Sequence, residues 1–193
     1  MAERKRLAVR EELGVVALRL LAADGFEGTT IDQIARAAGC SRRTFFRYFN
    51  SKEDVVIEVL SDLCDLILDA LRARPANESP LTALRGALEA AVPFVIVDPG
   101  KFAALARLIS ASPALQGRHL RLQYDLEVAL SAELAARQGV AQDNMALRLT
   151  AGAALRIFDL VMSHWTDSDG HADLTDLFDD AFALLATPGL HAG

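Results

Sequence analysis

Cysteine, aromatic residues and long apolar runs are scarce in this sequence, and each scarcity excludes a class of protein. The two cysteines, Cys40 and Cys64, have neither CxxC spacing nor clustered histidine partners, so neither a zinc site nor a disulfide framework is indicated. No uncharged apolar run approaches the roughly 18 residues of a membrane-spanning helix. The N-terminal segment from Met1 to Leu13 lacks a secretory apolar core, which predicts a protein of the reducing cytoplasm.

The chemistry of catalysis and of metal binding is also missing. The sequence contains no HExxH, GxSxG or glycine-rich phosphate loop, and its four histidines are scattered. In the acidic stretch from Asp167 to Asp176, Gly170 is fourth, whereas a calcium loop needs glycine at the sixth position and glutamate at the twelfth. A polar loop in which Asp173 caps the last helix explains this stretch better. We therefore expect no enzyme, no cofactor and no metal.

The residues that are abundant favour helices. Hydrophobic residues make up 52% of the 193 residues, which is enough for a core, and alanine and leucine dominate them. Few stretches alternate with the two-residue period of a half-buried strand. The sequence therefore predicts an all-α fold of one large or two small domains.

Charge is unevenly distributed along the chain. Residues 1–52 carry ten Lys/Arg against six Asp/Glu, a net charge of +4, and residues 53–193 carry ten against twenty, a net charge of −10. A short basic segment suits local binding of phosphate groups, because screening confines each field to roughly 8 Å at physiological salt. A positive surplus of this size also arises by chance, so the motifs have to decide whether the segment binds phosphate groups.

The N-terminal segment divides into short helices. Apolar residues at helical spacing predict a first helix over residues 4–23, which Gly25 ends. Thr30 precedes Gln33 by three residues, a capping box that opens a second, short helix. The second helix is predicted to end at Gly39.

A third helix is predicted to follow at once. Ser41 has the side chain of an N-cap for a helix that starts at Arg42 and closes at Asn50. A long fourth helix starts at Lys52 and continues to about Arg74. Two short helices joined by a tight turn that contains glycine are the outline of a helix-turn-helix.

Proline marks the start of three later helices. Each start pairs a capping side chain with a proline in the first helical turn, at Ser79-Pro80, Asp98-Pro99 and Ser112-Pro113. Pro93 falls inside the first of these helices and is expected to kink it. The third is predicted to end near Gly139, and two more helices are predicted over about 143–165 and 174–186, which makes nine in all.

The segment from Gly28 to Asp54, GTTIDQIARAAGCSRRTFFRYFNSKED, resembles the DNA-binding module of the tetracycline-repressor (TetR) family. The resemblance covers about fifty N-terminal residues, and the rest of the chain matches only in helix number and length. It implies a nine-helix, all-α architecture. Residues 1–52 would form a three-helix DNA-binding domain and residues 53–193 a helical ligand-binding and dimerisation domain, with the fourth helix bridging the two.

The resemblance also implies a function. We expect a cytoplasmic, nucleoid-associated transcriptional repressor that binds palindromic operator double-stranded DNA as a homodimer and is released by a small effector. An apolar or amphipathic effector fits best, because few charges fall on the inward faces of the helices. Two alternatives stay open: a ligand-independent DNA-binding protein of the same fold, and a small helical enzyme or carrier with a vestigial N-terminal domain.

The third helix carries the candidate DNA contacts. Phe45 and Phe49, four residues apart, are assigned to the core, and their neighbours are left to face outward. Guanidinium groups suit guanine or phosphate, hydroxyls suit phosphate, and Phe46 suits a thymine methyl group. The DNA-binding candidates are Thr30, Ser41, Arg42, Arg43, Thr44, Phe46, Tyr48 and Lys52. Thr30 and Ser41 serve equally well as simple caps, and Thr30 and Lys52 stand at helix N-termini that favour phosphate.

The last two helices and the kinked segment provide the remaining candidates. The helix over about 143–165 is apolar nearly all round, which indicates burial against a second subunit as well as its own core. The dimer-interface candidates are Ala151, Ala154, Phe158, Val161, Trp165, Leu174, Phe178, Ala181 and Leu185. Space opened by the kink at Pro93 suggests a ligand pocket, although apolar stripes at helical spacing are usually core. The pocket candidates are Phe94, Phe102, Leu105, Ile109, Tyr124 and Phe158.

Overall fold

The computed structural model describes residues 2–168 and 172–186, where all regular structure is helical, and the predicted all-α class is confirmed. The helices are α1 Ala2–Asp24, α2 Ile31–Ala37, α3 Arg42–Phe45, α4 Lys52–Ala73, α5 Pro80–Glu89, α6 Val92–Ile96, α7 Pro99–Ala111, α8 Pro113–Gln138, α9 Met145–Asp167 and α10 Leu174–Ala186. Among them, no single helix is long and apolar enough to cross a membrane. One bent pair, Pro80–Ile96 with Pro99–Ala111, meets that criterion by length and composition only. Residues 169–171 of the acidic stretch considered above lie outside the described residues.

Pro93 interrupts a helix rather than merely kinking it. Helix α5 ends at Glu89, and α6 begins two residues later, after Ala90 and Ala91. Pro93 occupies the first turn of α6, where its missing N–H leaves no intrahelical hydrogen bond unmade. With α5 and α6 counted as the one predicted helix, the described residues follow the predicted nine-helix order.

Side-chain caps set most helix starts as predicted. The capping box at the start of α2 is complete. The backbone N–H of Gln33 donates to Thr30 Oγ1 over 3.3 Å, and the backbone N–H of Thr30 donates to Gln33 Oε1 over 2.7 Å. Ser79 and Asp98 each accept an amide hydrogen bond in the first turn of the helix that follows, at 3.2 and 3.0 Å. Asp173 caps α10 in the same way at 2.7 Å.

Two predicted helix starts differ from the structure. The Ser112 hydroxyl is buried without a hydrogen-bond partner among the described residues, so it does not cap α8. Helix α9 begins at Met145, two residues later than predicted. The reason is that Asn144 is its cap and accepts from the Leu147 amide at 3.2 Å.

Packing divides the chain into two compact units. One comprises Met1–Ser61 and Ala104–Leu120, and the other comprises Asp62–Ala103 and Arg121–Gly193. This division falls within α4, whereas the motif predicts a boundary between residues 52 and 53. Residues 104–120 belong to the first unit through tertiary contacts, and a motif contains no information about such contacts.

The first unit has its own hydrophobic core beneath the short helices. Its buried members come from α1, α2, α4 and residues 42–49, which we call the α3 segment, and they are Leu13, Ala17, Ile34, Phe45, Phe49 and Val55. Ile31, Ala38, Cys40 and Tyr48 pack against them half-buried. Gly39 has a φ of +63°, a left-handed conformation that favours glycine and turns the chain between α2 and α3. The core positions predicted for Phe45 and Phe49 are therefore confirmed.

The second unit is organised around α9, which contacts both α5 and α10.

The cysteine of the second unit, Cys64, lies on α4. Burial raises the pKa of the Cys64 thiol to about 12, and the carboxylates of Asp65 and Asp159 add to the rise. Cys64 therefore stays protonated at neutral pH.

Candidate nucleic-acid interface

Two buried rings anchor the α3 segment to the first unit. Phe45 is fully buried and Phe49 nearly so, and their ring centroids lie 5.6 Å apart. The Phe49 amide donates to the Phe45 carbonyl over 3.0 Å, which continues the helical path for one turn beyond α3. The opposite side of the segment is thereby held outward on a rigid base.

That outward side is cationic and aromatic. Arg42, Arg43, Phe46 and Arg47 are all exposed, and Phe46 keeps 42% of its surface accessible. Arg43, Thr44, Phe46 and Arg47 line a surface depression of about 410 Å³. An exposed aromatic ring between arginines offers both donors to base edges and an apolar contact.

Ion pairing leaves most of this charge uncompensated. The Arg42 guanidinium lies 3.2 Å from the Asp32 carboxylate on α2 and stacks over the Phe46 ring at 5.5 Å. Neither Arg43 nor Arg47 forms an ion pair within the described part of the chain. Their positive charge is therefore available to an anionic partner.

The predicted hydroxyl groups already take part in hydrogen bonds within the first unit. Ser41 Oγ accepts from the Thr44 amide over 3.1 Å and lies 2.9 Å from Thr44 Oγ1. The Tyr48 hydroxyl accepts from Arg47 over 3.0 Å, and the Arg47 guanidinium lies 4.9 Å from the Tyr48 ring centroid. These bonds orient the side chains and leave lone pairs or protons for a further contact.

Lys52 is more constrained than its sequence position suggests. Its ammonium group donates to the Phe26 carbonyl and, over 3.2 Å, to the Thr29 carbonyl. It also lies 4.2 Å from the centroid of the Phe26 ring. One N–H of the ammonium group is left over for a phosphate.

Two arginine pairs that the sequence does not reveal hold the start of α4. Arg10 of α1 pairs with Glu58 and lies over the Phe49 ring at 5.7 Å. Arg118 of α8 pairs with Asp54 at 2.6 Å. Each pair joins residues about 50 or more positions apart, and neither helix periodicity nor a motif indicates such a pairing.

The pocket candidates in the second unit make different ring contacts. Phe94 and Phe102 meet edge to face at 5.8 Å, with the Lys101 ammonium group 5.8 and 5.9 Å from their centroids. Phe158 is packed against Phe178 at 5.9 Å instead. In the first unit, Leu105 is buried and Ile109 half-buried.

Tyr124, one of the pocket candidates, lies on the exposed side of α8. It is 48% exposed, and the guanidinium groups of Arg121 and Arg148 lie 5.5 and 5.7 Å from its ring centroid. The buried positions in this part of α8 are Leu126 and Leu130. Two residues along a helix correspond to a rotation of about 200°, so Tyr124 lies on the opposite side.

The predicted dimer residues lie mostly inside their own chain. Seven of the nine, namely Ala151, Ala154, Phe158, Val161, Trp165, Leu174 and Phe178, are buried in the single subunit, whereas Ala181 is half-buried and Leu185 is exposed. The prediction therefore took the core-facing side of α9 and α10 for a partner-facing side. When a helix is apolar all round, its sequence pattern does not indicate which side packs against the core of its own subunit.

Comparisons with known proteins agree with this geometry. Residues 15–59 match the family described as bacterial regulatory proteins of the tetR family, and residues 78–190 match the MftR C-terminal domain. The transcriptional regulator TcmR of Streptomyces glaucescens is 39% identical over 150 residues, which is 75% of this chain and 66% of TcmR. The regulator MftR of Mycobacterium tuberculosis is 28% identical over 189 residues, which is 94% of this chain and 91% of MftR.

A solved structure supports the fold independently. The regulator FadR of Bacillus subtilis, in complex with stearoyl-CoA, superimposes with a TM-score of 0.67 at 18% identity, covering 94% of this chain and 99% of FadR. The predicted architecture and the predicted family are both confirmed. The chain therefore belongs to the TetR family of bacterial transcriptional regulators, with an N-terminal helix-turn-helix DNA-binding domain and a C-terminal domain of the MftR type.

Proposed function

We propose that the protein is a repressor that binds a palindromic operator as a homodimer and dissociates from it when an apolar or amphipathic effector binds. The exposed side of the α3 segment carries the proposal, because it presents Arg43 and Arg47, which form no ion pair within the described residues, beside an exposed phenylalanine on a buried two-ring anchor. Such a surface has the donors and the apolar contact that the major groove of DNA requires.

The side chains divide into two roles. Arg42, Arg43 and Phe46 contact base edges, since they are exposed on the side opposite the core. Thr44 and Tyr48, together with the caps Thr30 and Ser41 and the remaining N–H of Lys52, contact phosphates and fix the register on the duplex. Selection of the operator from genomic DNA fragments, followed by fluorescence anisotropy at fixed salt, tests this division.

Arg43 is expected to determine part of the sequence preference. Arg43→Ala should cost about 1–3 kcal/mol of operator binding and relax the preference at one base pair in each half-site, because a bidentate contact to guanine is lost. The matched control is Arg121→Ala, which removes an equal charge from an exposed site on α8. An Arg43→Ala protein with wild-type affinity and specificity would contradict the assignment.

The amphipathic nature of the effector has two supports. The B. subtilis FadR structure contains stearoyl-CoA, and that of Thermus thermophilus FadR contains lauroyl-CoA. In this chain, the Phe94 and Phe102 rings lie beside the Lys101 ammonium group at the junction of α6 and α7. Aromatic rings next to a cation suit a ligand with an apolar tail and an anionic head.

The proposed dimer uses exposed apolar side chains of α9 and α10. Leu149, Leu160 and Leu184 keep 67%, 53% and 59% of their surface accessible in the single chain. Leu160→Asp is expected to convert a dimer into a monomer, because a buried unpaired charge costs several kcal/mol. Light scattering at micromolar concentration measures this.

Controls distinguish dimerisation from folding. Leu120→Asp changes an equally exposed leucine on α8 and should leave the dimer intact. Aspartate at Ala154 or Phe178 tests folding instead, since both residues are buried within their own subunit. A wild-type protein that is monomeric under these conditions would refute the dimer.

A further inference from the structure

Residues 50–54 form a turn that joins the α3 segment to the first turn of α4, and its own side chains close it. The Asp54 backbone N–H donates to Ser51 Oγ over 3.2 Å. One carboxylate oxygen of Asp54 accepts a hydrogen bond from the backbone N–H of Asn50 at 2.9 Å. Asn50 directly follows the buried Phe49. The conformation of this turn therefore sets the direction in which the α3 segment joins α4.

One residue from outside the helix-turn-helix holds the turn. The Arg118 guanidinium donates to the other carboxylate oxygen of Asp54, at 2.6 Å, and to Ser51 Oγ, at 3.2 Å. Both hydrogen-bonding side chains of the turn therefore share one guanidinium partner. Arg118 lies in the Ala104–Leu120 part of the first unit, in the second turn of α8.

The electrostatics favour a fixed pair over a fluctuating one. The Asp54 side chain is only 18% exposed. Its partial burial raises the pKa, but the hydrogen bonds from Asn50 and Arg118 outweigh that effect, and the net pKa is lowered. Asp54 therefore remains a carboxylate at neutral pH, and its negative charge favours pairing with the Arg118 guanidinium.

We infer that Arg118 is a positioning residue for operator binding: it fixes the Asn50–Asp54 turn and so makes the orientation of the α3 segment depend on the start of α8. The inference rests on the operator binding proposed above. Arg118 needs no contact with DNA for this role. Its effect passes entirely through Asp54 and Ser51.

A double-mutant cycle tests the inference. Arg118→Ala is expected to weaken operator binding by about 5- to 10-fold, within the usual range of coupling between sites. In an Asp54→Asn background the same change should have a much smaller effect, because the charged partner is already lost and only the hydrogen bond to Ser51 Oγ remains. Arg118→Lys, which keeps the charge but not the fork of donors, should restore part of the affinity. Arg121→Ala, on the same helix, is the matched control and should leave the affinity unchanged.

Two further readouts separate positioning from other roles. If Arg118 contacted a phosphate directly, Arg118→Ala would reduce the magnitude of the slope of log affinity against log salt by about 0.9 for each subunit, whereas loss of a positioning residue leaves that slope unchanged. Thermal unfolding should change little, since partly exposed ion pairs contribute little to stability. Additive effects in the cycle, a reduced salt slope, or a loss of affinity explained by unfolding would each overturn the inference.

Failure of the proposed function gives a different result. If the wild-type protein selects no DNA sequence, operator binding itself is refuted, and this inference about it falls as well. The pairing of Arg118 with Asp54 can then still be tested by hydrogen exchange of the Asn50 backbone N–H. Its exchange should accelerate in Arg118→Ala and not in Arg121→Ala. Selective DNA binding by the wild type together with unchanged exchange in Arg118→Ala refutes the positioning role alone.

Discussion

Phe45→Ala is expected to destabilise the DNA-binding unit by about 3–5 kcal/mol and to abolish operator binding at 37 °C. Phe45 is completely buried, packs against Phe49 and Phe46, and belongs to the six-residue core that joins α1, α2, the α3 segment and α4. Removing its ring leaves a cavity at the base of the recognition surface. Thermal or urea unfolding followed by circular dichroism measures the loss.

The neighbouring phenylalanine supplies the control for this prediction. Phe46→Ala removes an identical side chain from an exposed position, so the unfolding free energy should change by less than about 1 kcal/mol. Operator affinity should still fall, because the proposed contact with a thymine methyl group is lost. Equal destabilisation by the two substitutions would mean that the segment is not anchored through Phe45.

Effector and operator are expected to weaken each other's binding by the same factor, about 5- to 150-fold. In the proposed mechanism, operator DNA requires two recognition segments spaced for successive major grooves, roughly 34 Å apart. An effector that prefers a different spacing favours a dimer in which one segment loses its contacts. Stearoyl-CoA, the ligand in the B. subtilis FadR structure, is the first probe.

Calorimetric titration of the probe with and without saturating operator measures this reciprocity. Coenzyme A without the acyl chain is the control, and it should have no effect on the operator complex. Equal probe affinities in the two titrations would rule out release by this route and leave a constitutive DNA-binding protein. A screen of acyl-CoA thioesters and apolar metabolites in which none raises the unfolding midpoint would contradict effector control altogether.

Local signals made the first unit predictable. The Thr30–Gln33 capping box and Ser41 each specify a helix start through the nearest few residues, and the structure has both starts. The helix ends differ, since α2 ends at Ala37 rather than Gly39 and α3 at Phe45 rather than Asn50. The four-residue spacing of Phe45 and Phe49 likewise identified the buried side of the α3 segment. Short-range capping and periodicity are encoded within one helical turn, so a single sequence contains them in full.

Long-range packing was the part that sequence reasoning missed. The Arg118–Asp54 and Arg10–Glu58 pairs join distant residues, and nothing in the local pattern distinguishes these arginines from solvated ones. The misplaced side of α9 has the same origin. Apolar residues surround that helix, so only its contacts with α5 and α10 decide which of them are core.

The alkylation rates of the two cysteines probe the two units separately. Cys40 belongs to the first unit and Cys64 to the second, and burial raises the pKa of both thiols. Alkylating reagents attack the thiolate, so modification of both half-buried thiols in the folded protein should be slow. Mass spectrometry of the two alkylated peptides would therefore report on the surroundings of each thiol separately, and on whether DNA or an effector slows one rate without the other.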